Sequence, residues 1–184
     1  AEKKERLRLQ QVAAAAAAEE KKRLRLQHAA EAEERVAAVA KMGGDYSAKV
    51  VLLGDISGKS CLVDRLQKGS FFECRGGSCG AEFTTKRASC GLRMELWDTA
   101  GQERYHSLAP MYYGAAHAVV LVADCTDRYS FEVAEKWYNE VSAERGIYCT
   151  SDGVIFALIA SKVDLAAKRK ISVEEYSAFA EKHG

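Results

Sequence analysis

Apolar and polar positions divide the chain into two regions of different physics. From Lys49 onward, short apolar runs recur between longer mixed stretches. KVVLLG (49–54), HAVVLVAD (117–124) and GVIFALIA (153–160) are near-continuous apolar runs of strand length. Such runs predict strands buried on both faces of a parallel sheet. Mixed stretches at 59–68, 130–144 and 173–183 predict helices between and after them. Strands alternating with helices predict an α/β domain with a mostly parallel sheet and helices on both faces. AEFTTKRASC (81–90) and GLRMELWDT (91–99) predict a hairpin turning near Cys90 and Gly91.

The first 42 residues contain no such runs. Residues 1–42 hold no glycine and no proline, and 13 of the first 41 residues are alanine. Most others are Glu, Lys, Arg, Leu or Gln, the strong helix formers. The composition predicts one long α-helix over 1–42, about 60 Å at 1.5 Å per residue. Gly43 and Gly44 would end it, opening a linker over 43–48. RLRLQ occurs at 6–10 and again at 23–27, and its basic clusters are interrupted by glutamates. A lone helix this polar would need a partner to hold it.

Composition narrows the classes further. Apolar residues make up 48% of the 184, enough for a sizeable core, and the net charge of +1 gives no call for nucleic acid. Cysteines at 61, 74, 79, 90, 125 and 149 form no CxxC pair. They read as reduced thiols of a cytoplasmic protein rather than a disulfide framework. No run of 18 or more apolar residues occurs, so no transmembrane helix is expected.

The candidate chemistry begins where the first strand ends. GDISGKS (54–60) follows a strand and opens a helix, the context of a phosphate loop. Its backbone N–H groups and the helix N-terminus would face an anion. Lys59 would reach the outer phosphates, and the Ser60 hydroxyl would ligate Mg²⁺. The motif calls for four residues between its glycines. Here only Asp55, Ile56 and Ser57 separate Gly54 from Gly58.

WDTAGQERYHSLAPMYYG (97–114) resembles switch II of the Rab small GTPases, above all the early-endosomal branch. The likeness continues in order through VVLLGDISGKSCLVDRL, GSCGAEF, VLVADCTDRYSFEVAEKW and ASKVDLAAKRKIS. The resemblance implies a Ras-like phosphate-loop NTPase fold over 49–184, preceded by the long helix. It also implies GTP or GDP with Mg²⁺. Gly54, Asp55, Ser57, Gly58, Lys59, Ser60 and Cys61 would form the phosphate site, and the Gly101 N–H would bond the γ-phosphate. Ser60, Ser78 and Asp98 would serve the metal, and Gln102 would orient the attacking water. In SKVD (161–164), which matches the family's NKxD, Asp164 would read guanine and Lys162 would lie along the base. Ser161 stands for the asparagine; as a shorter donor it is expected to weaken the tie to the phosphate loop. Phe83, Trp97 and Tyr112 match an aromatic triad that engages effector proteins. The family's SAK loop, last strand and last helix are expected after residue 184, and a membrane-attaching lipid anchor outside these residues.

Two functions follow. One is a guanine-nucleotide switch with slow GTP hydrolysis that recruits effectors in vesicle traffic at an endomembrane surface. The alternative is a degenerate GTPase fold serving as an interaction module in a large, possibly cytoskeletal, assembly. The short phosphate loop and Ser161 motivate the second.

Overall fold

A computed structural model describes Arg23 and residues 46–71, 80–148 and 154–183. The long helix expected over 1–42, its partner and Ser78 lie outside the described residues. The elements run β1 (Ser47–Leu53), α1 (Lys59–Lys68), β2 (Ala81–Arg87), β3 (Arg93–Thr99), a 3₁₀ segment (Glu103–Leu108), α2 (Ala109–Tyr113), β4 (Ala118–Asp124), α3 (Arg128–Tyr148), β5 (Ile155–Ser161), a 3₁₀ turn (Ala166–Lys168) and α4 (Val173–His183).

The sheet order is β2-β3-β1-β4-β5. β1 pairs parallel with β3 and β4, β4 pairs parallel with β5, and only β2 runs antiparallel, against β3. This is the mixed α/β sheet that the apolar runs predict. The strand ends shift by one or two residues. The hairpin turns as expected, with Gly91 at φ +88°.

Register sorts the strand residues into two faces. Val51, Leu53, Val119, Leu121 and Ala123 share one face, with Phe156 and Leu158 beside them. That face packs on α2, α3 and α4 through Tyr113, Phe131, Trp137, Val141 and Phe179. Val51, Leu53, Val119 and Leu121 are fully buried, each contributing roughly 1.5–3 kcal/mol. The opposite face carries Leu52 and Val122. At its β5 edge Ile155 is 71% exposed.

Local chemistry sets the helix ends. Gly69 closes α1 at φ +67°, its N–H donating to the Arg65 carbonyl at 3.0 Å. Asp127 Oδ1 accepts from the Tyr129 N–H at 3.3 Å, which starts α3 two residues before the pattern predicts. Ser172 and Glu175 form a reciprocal capping box: Glu175 N–H to Ser172 Oγ at 3.2 Å, Ser172 N–H to Glu175 Oε2 at 3.0 Å.

One tie fastens α2 to α3. The Tyr113 hydroxyl lies 2.7 Å from Glu144 Oε2 and 3.2 Å from Glu140 Oε1. Burial, then the two carboxylates, hold its phenol well above the usual tyrosine range. Among the described residues, no helix is long and apolar enough to cross a membrane.

Candidate functional site

Four loops converge at the carboxyl ends of β1, β3, β4 and β5. The chain leaves β1 for β3 on one side, while β4 lies on the other. In open α/β sheets this reversal of strand order opens the ligand crevice.

The loop after β1 is 54–58. Gly54 sits at φ +148°, and a Cβ there would lie 2.3 Å from the Val122 carbonyl oxygen, so only glycine fits. Gly58 adopts a left-handed conformation, φ +90°, just before α1. The first helical bond of α1 is Leu62 N–H to Gly58 O at 3.0 Å. The N–H groups before it have no intrahelical acceptor, and no acidic residue occupies the first turn. Residues 59–61 therefore present an anion-binding helix N-terminus. Ser60 and Cys61 lie within it.

Lys59 is 4% exposed. Its Nζ donates to the Gly54 carbonyl at 2.9 Å and the Asp55 carbonyl at 2.6 Å. An ammonium has three donors, so one remains for an outside acceptor. Burial lowers the Lys59 pKa to about 8, against the opposing pull of Asp98 and Asp55. A buried cation of this kind calls for an anion.

Asp98, near the end of β3, is 2% exposed. Its carboxylate and the Ser60 hydroxyl at the start of α1 both offer oxygen donors. Among the described residues no group of three or more His, Cys, Asp or Glu can hold a metal. One carboxylate, one hydroxyl and phosphate oxygens suit Mg²⁺, which keeps several waters. The residues present thus fit the ion. Asp98 and Ser60 would hold it, and its charge would neutralise phosphate oxygens.

The loop after β3 brings Gly101 against the phosphate loop. A Cβ on Gly101 would lie 2.3 Å from the Asp55 carbonyl oxygen and 2.9 Å from the Ile56 nitrogen. Gln102 follows at the start of the 3₁₀ segment, its carbonyl accepting from the Tyr105 N–H at 3.0 Å.

Of the SKVD residues, Ser161 ends β5 and the loop after it holds Lys162, Val163 and Asp164. Lys162 has φ +54°, and its Nζ pairs with Asp124 Oδ2 at 2.5 Å. Asp124 Oδ1 accepts from the Thr126 N–H at 2.8 Å and hydroxyl at 2.7 Å. Burial raises the Asp124 pKa, but Lys162 and Thr126 outweigh it and leave the carboxyl below its ordinary range. Asp164 stands exposed in the turn that follows.

The tie to the phosphate loop that serine at 161 is expected to weaken is present. Ser161 Oγ donates to the Ser57 carbonyl at 2.6 Å, between two buried residues. The loop carbonyl lies within hydroxyl reach.

Sequence reasoning missed Ser130. Its hydroxyl, 1% exposed, donates to Asp55 Oδ1 at 2.7 Å and accepts from the Asp124 N–H at 2.9 Å. It also missed Asp124, whose one available signal is an acidic residue closing an apolar strand. The predicted aromatic triad does assemble. Phe83 and Trp97 are register partners with ring centroids 5.2 Å apart, and Trp97 and Tyr112 are 6.0 Å apart. Phe83 is 51% exposed.

Comparison with known proteins agrees with this geometry. The Ras family matches residues 49–184. "Ras-related protein Rab5" of Nicotiana tabacum is 44% identical over 144 residues, covering 76% of this chain and 70% of the relative. "Ras-related protein RABF2a" of Arabidopsis thaliana is 43% identical over 143 residues, covering 76% and 69%. "Ras-related protein Rab-5A" of Dictyostelium discoideum is 41% identical over 143 residues, covering 76% and 69%. The sheet, the phosphate loop and these matches define a phosphate-loop protein of the Ras family. Within that family the chain belongs with the Rab-type small GTPases of the early-endosomal branch. Proteins of this family bind guanine nucleotide, Mg²⁺ and effector proteins. The relatives lend no support to the degenerate-module reading.

Proposed function

We propose that this chain is a guanine-nucleotide switch that binds GTP or GDP with Mg²⁺, hydrolyses GTP slowly and recruits effectors at an endomembrane surface. The observation that carries the reading is Lys59. Its buried ammonium is aimed by two loop carbonyls and keeps one donor for a phosphate. Residues 54–61 cradle the phosphates, and Ser60 and Asp98 serve the metal, with Ser78 as a third candidate. Gly101 meets the γ-phosphate and Gln102 orients the attacking water. Catalysis here is positioning and charge stabilisation, completed by an arginine from a partner. Lys162 and Asp164 take the guanine base. Phe83, Trp97 and Tyr112 form the effector face, their rings adjacent and Phe83 half exposed.

The test is the nucleotide content of the purified full-length protein, with uptake of labelled GTP. Copurified GDP or GTP, displaced by labelled GTP but not ATP, is the expected result. A protein that is empty and takes up no labelled GTP overturns the reading.

A further inference from the structure

The phosphate loop is one residue short, and the residue that ties it to the base loop is one bond short. We propose that these two departures are a matched pair: the three-residue loop places the Ser57 carbonyl where a hydroxyl at position 161 meets it, and this contact sets how long nucleotide stays bound. The inference rests on the nucleotide-binding reading above.

Both partners are fixed. Ser161 ends β5 in register with Asp124, and its carbonyl accepts from the Cys125 N–H at 3.2 Å. The backbone at 161 therefore cannot drift towards or away from the loop. The loop is fixed at its other points. Gly54 lies against the Val122 carbonyl, Asp55 is held by Ser130, and Lys59 spans the Gly54 and Asp55 carbonyls. With both sides held, side-chain reach decides whether the gap closes.

Serine closes it at 2.6 Å. Its single proton goes to Ser57, because the other nearby acceptor, the Ala123 carbonyl, is farther at 3.2 Å. An asparagine nitrogen lies one bond further out, about 1 Å of extra reach from Cβ. In this loop it would press into the Ser57 carbonyl and push the loop outward. In a loop with four residues between its glycines, the added residue moves that carbonyl away, and asparagine would have the room it needs. Ser161 is thus a positioning residue, acting on nucleotide through the loop.

The test is a mutant cycle read by release of an N-methylanthraniloyl GDP from the full chain. Ser161→Ala should release it about fivefold faster, the loss of one ordinary hydrogen bond. Ser161→Thr keeps the hydroxyl and should stay near wild type. Ser161→Asn in the native loop should release faster than wild type. Inserting one alanine between Ile56 and Ser57 should also speed release, and combining it with Ser161→Asn should slow release below either change alone. Unchanged release in Ser161→Ala, or slower release in Ser161→Asn alone, overturns the pairing. A second measurement needs no nucleotide: amide exchange over residues 54–60 of the nucleotide-free chain should quicken in Ser161→Ala and not in Ser161→Thr. If the wild type takes up no labelled GDP, the nucleotide-binding reading falls. Exchange then judges the contact alone, and unchanged loop exchange in Ser161→Ala overturns it.

Discussion

Ser130, in the first turn of α3, holds Asp55 of the phosphate loop by a 2.7 Å hydrogen bond across 75 residues of sequence. The same hydroxyl oxygen accepts from the Asp124 N–H. Asp124 in turn pairs with Lys162 of the base loop. One buried oxygen therefore stands between the phosphate loop and the loop after β5.

Removing it should loosen both. Ser130→Ala leaves a carboxylate oxygen and a backbone N–H without this partner, which costs about 1–3 kcal/mol. Urea unfolding should show that loss. A thermal scan should show about 2–4 °C per kcal/mol for a chain of this size. Stability equal to wild type would show that the bridge carries no free energy.

Gly101 tolerates no side chain. Its Cβ would meet Asp55 and Ile56 backbone atoms at 2.3–2.9 Å, and backbone cannot swing aside. Gly101→Ala should cost about 1–3 kcal/mol, as overpacking does. It should also separate switch II from the phosphate loop and abolish GTP hydrolysis. Hydrolysis at the wild-type rate in this variant would contradict the contact.

Lys59 makes the site sensitive to alkali. Its folded pKa of about 8 lies below the ordinary lysine value of 10.5. Between those values the unfolded chain holds more protons than the folded one. Nucleotide-free stability should therefore rise with pH across that window. A bound phosphate favours the ammonium, so GDP affinity should fall across the same window. The comparison is wild type against Lys59→Met at pH 8, 9 and 10, by unfolding and by GDP titration. Identical pH slopes in the two proteins would exclude Lys59 as the source.

Gln102 should matter to chemistry and not to binding. Gln102→Leu removes the group that orients water, and misplacing a reactant costs on the order of 10²-fold. Single-turnover GTP hydrolysis should drop on that scale, with GDP affinity unchanged. An unchanged hydrolysis rate would remove Gln102 from the mechanism.

Much of the fold is legible in the sequence because its signals are local. KVVLLG and HAVVLVAD are continuous apolar runs because their strands are covered on both faces. Gly69 and the Ser172–Glu175 box mark helix ends within four residues. GKS and WDTAGQE likewise carry their chemistry in adjacent positions. The ties between loops are different. Ser130 meets Asp55, and Ser161 meets Ser57 across 104 residues. Such contacts depend on where β4 and β5 place their ends in space, which no local pattern states. Ser161 looked like a weakened tie because a hydroxyl is shorter than a carboxamide. The Ser57 carbonyl nevertheless lies 2.6 Å from that hydroxyl, and this is visible only in three dimensions.

The anchoring of Tyr113 between Glu140 and Glu144 limits how switch II can move. With the end of α2 pegged to α3, a rearrangement of the kind the proposed function calls for would have to break that peg to pass Tyr113. The travel must be absorbed upstream, in the 3₁₀ segment and the backbone around Gln102. Under the proposed function, movement of this segment would fall on the residues between Gly101 and Ala109, ahead of the Tyr113 anchor.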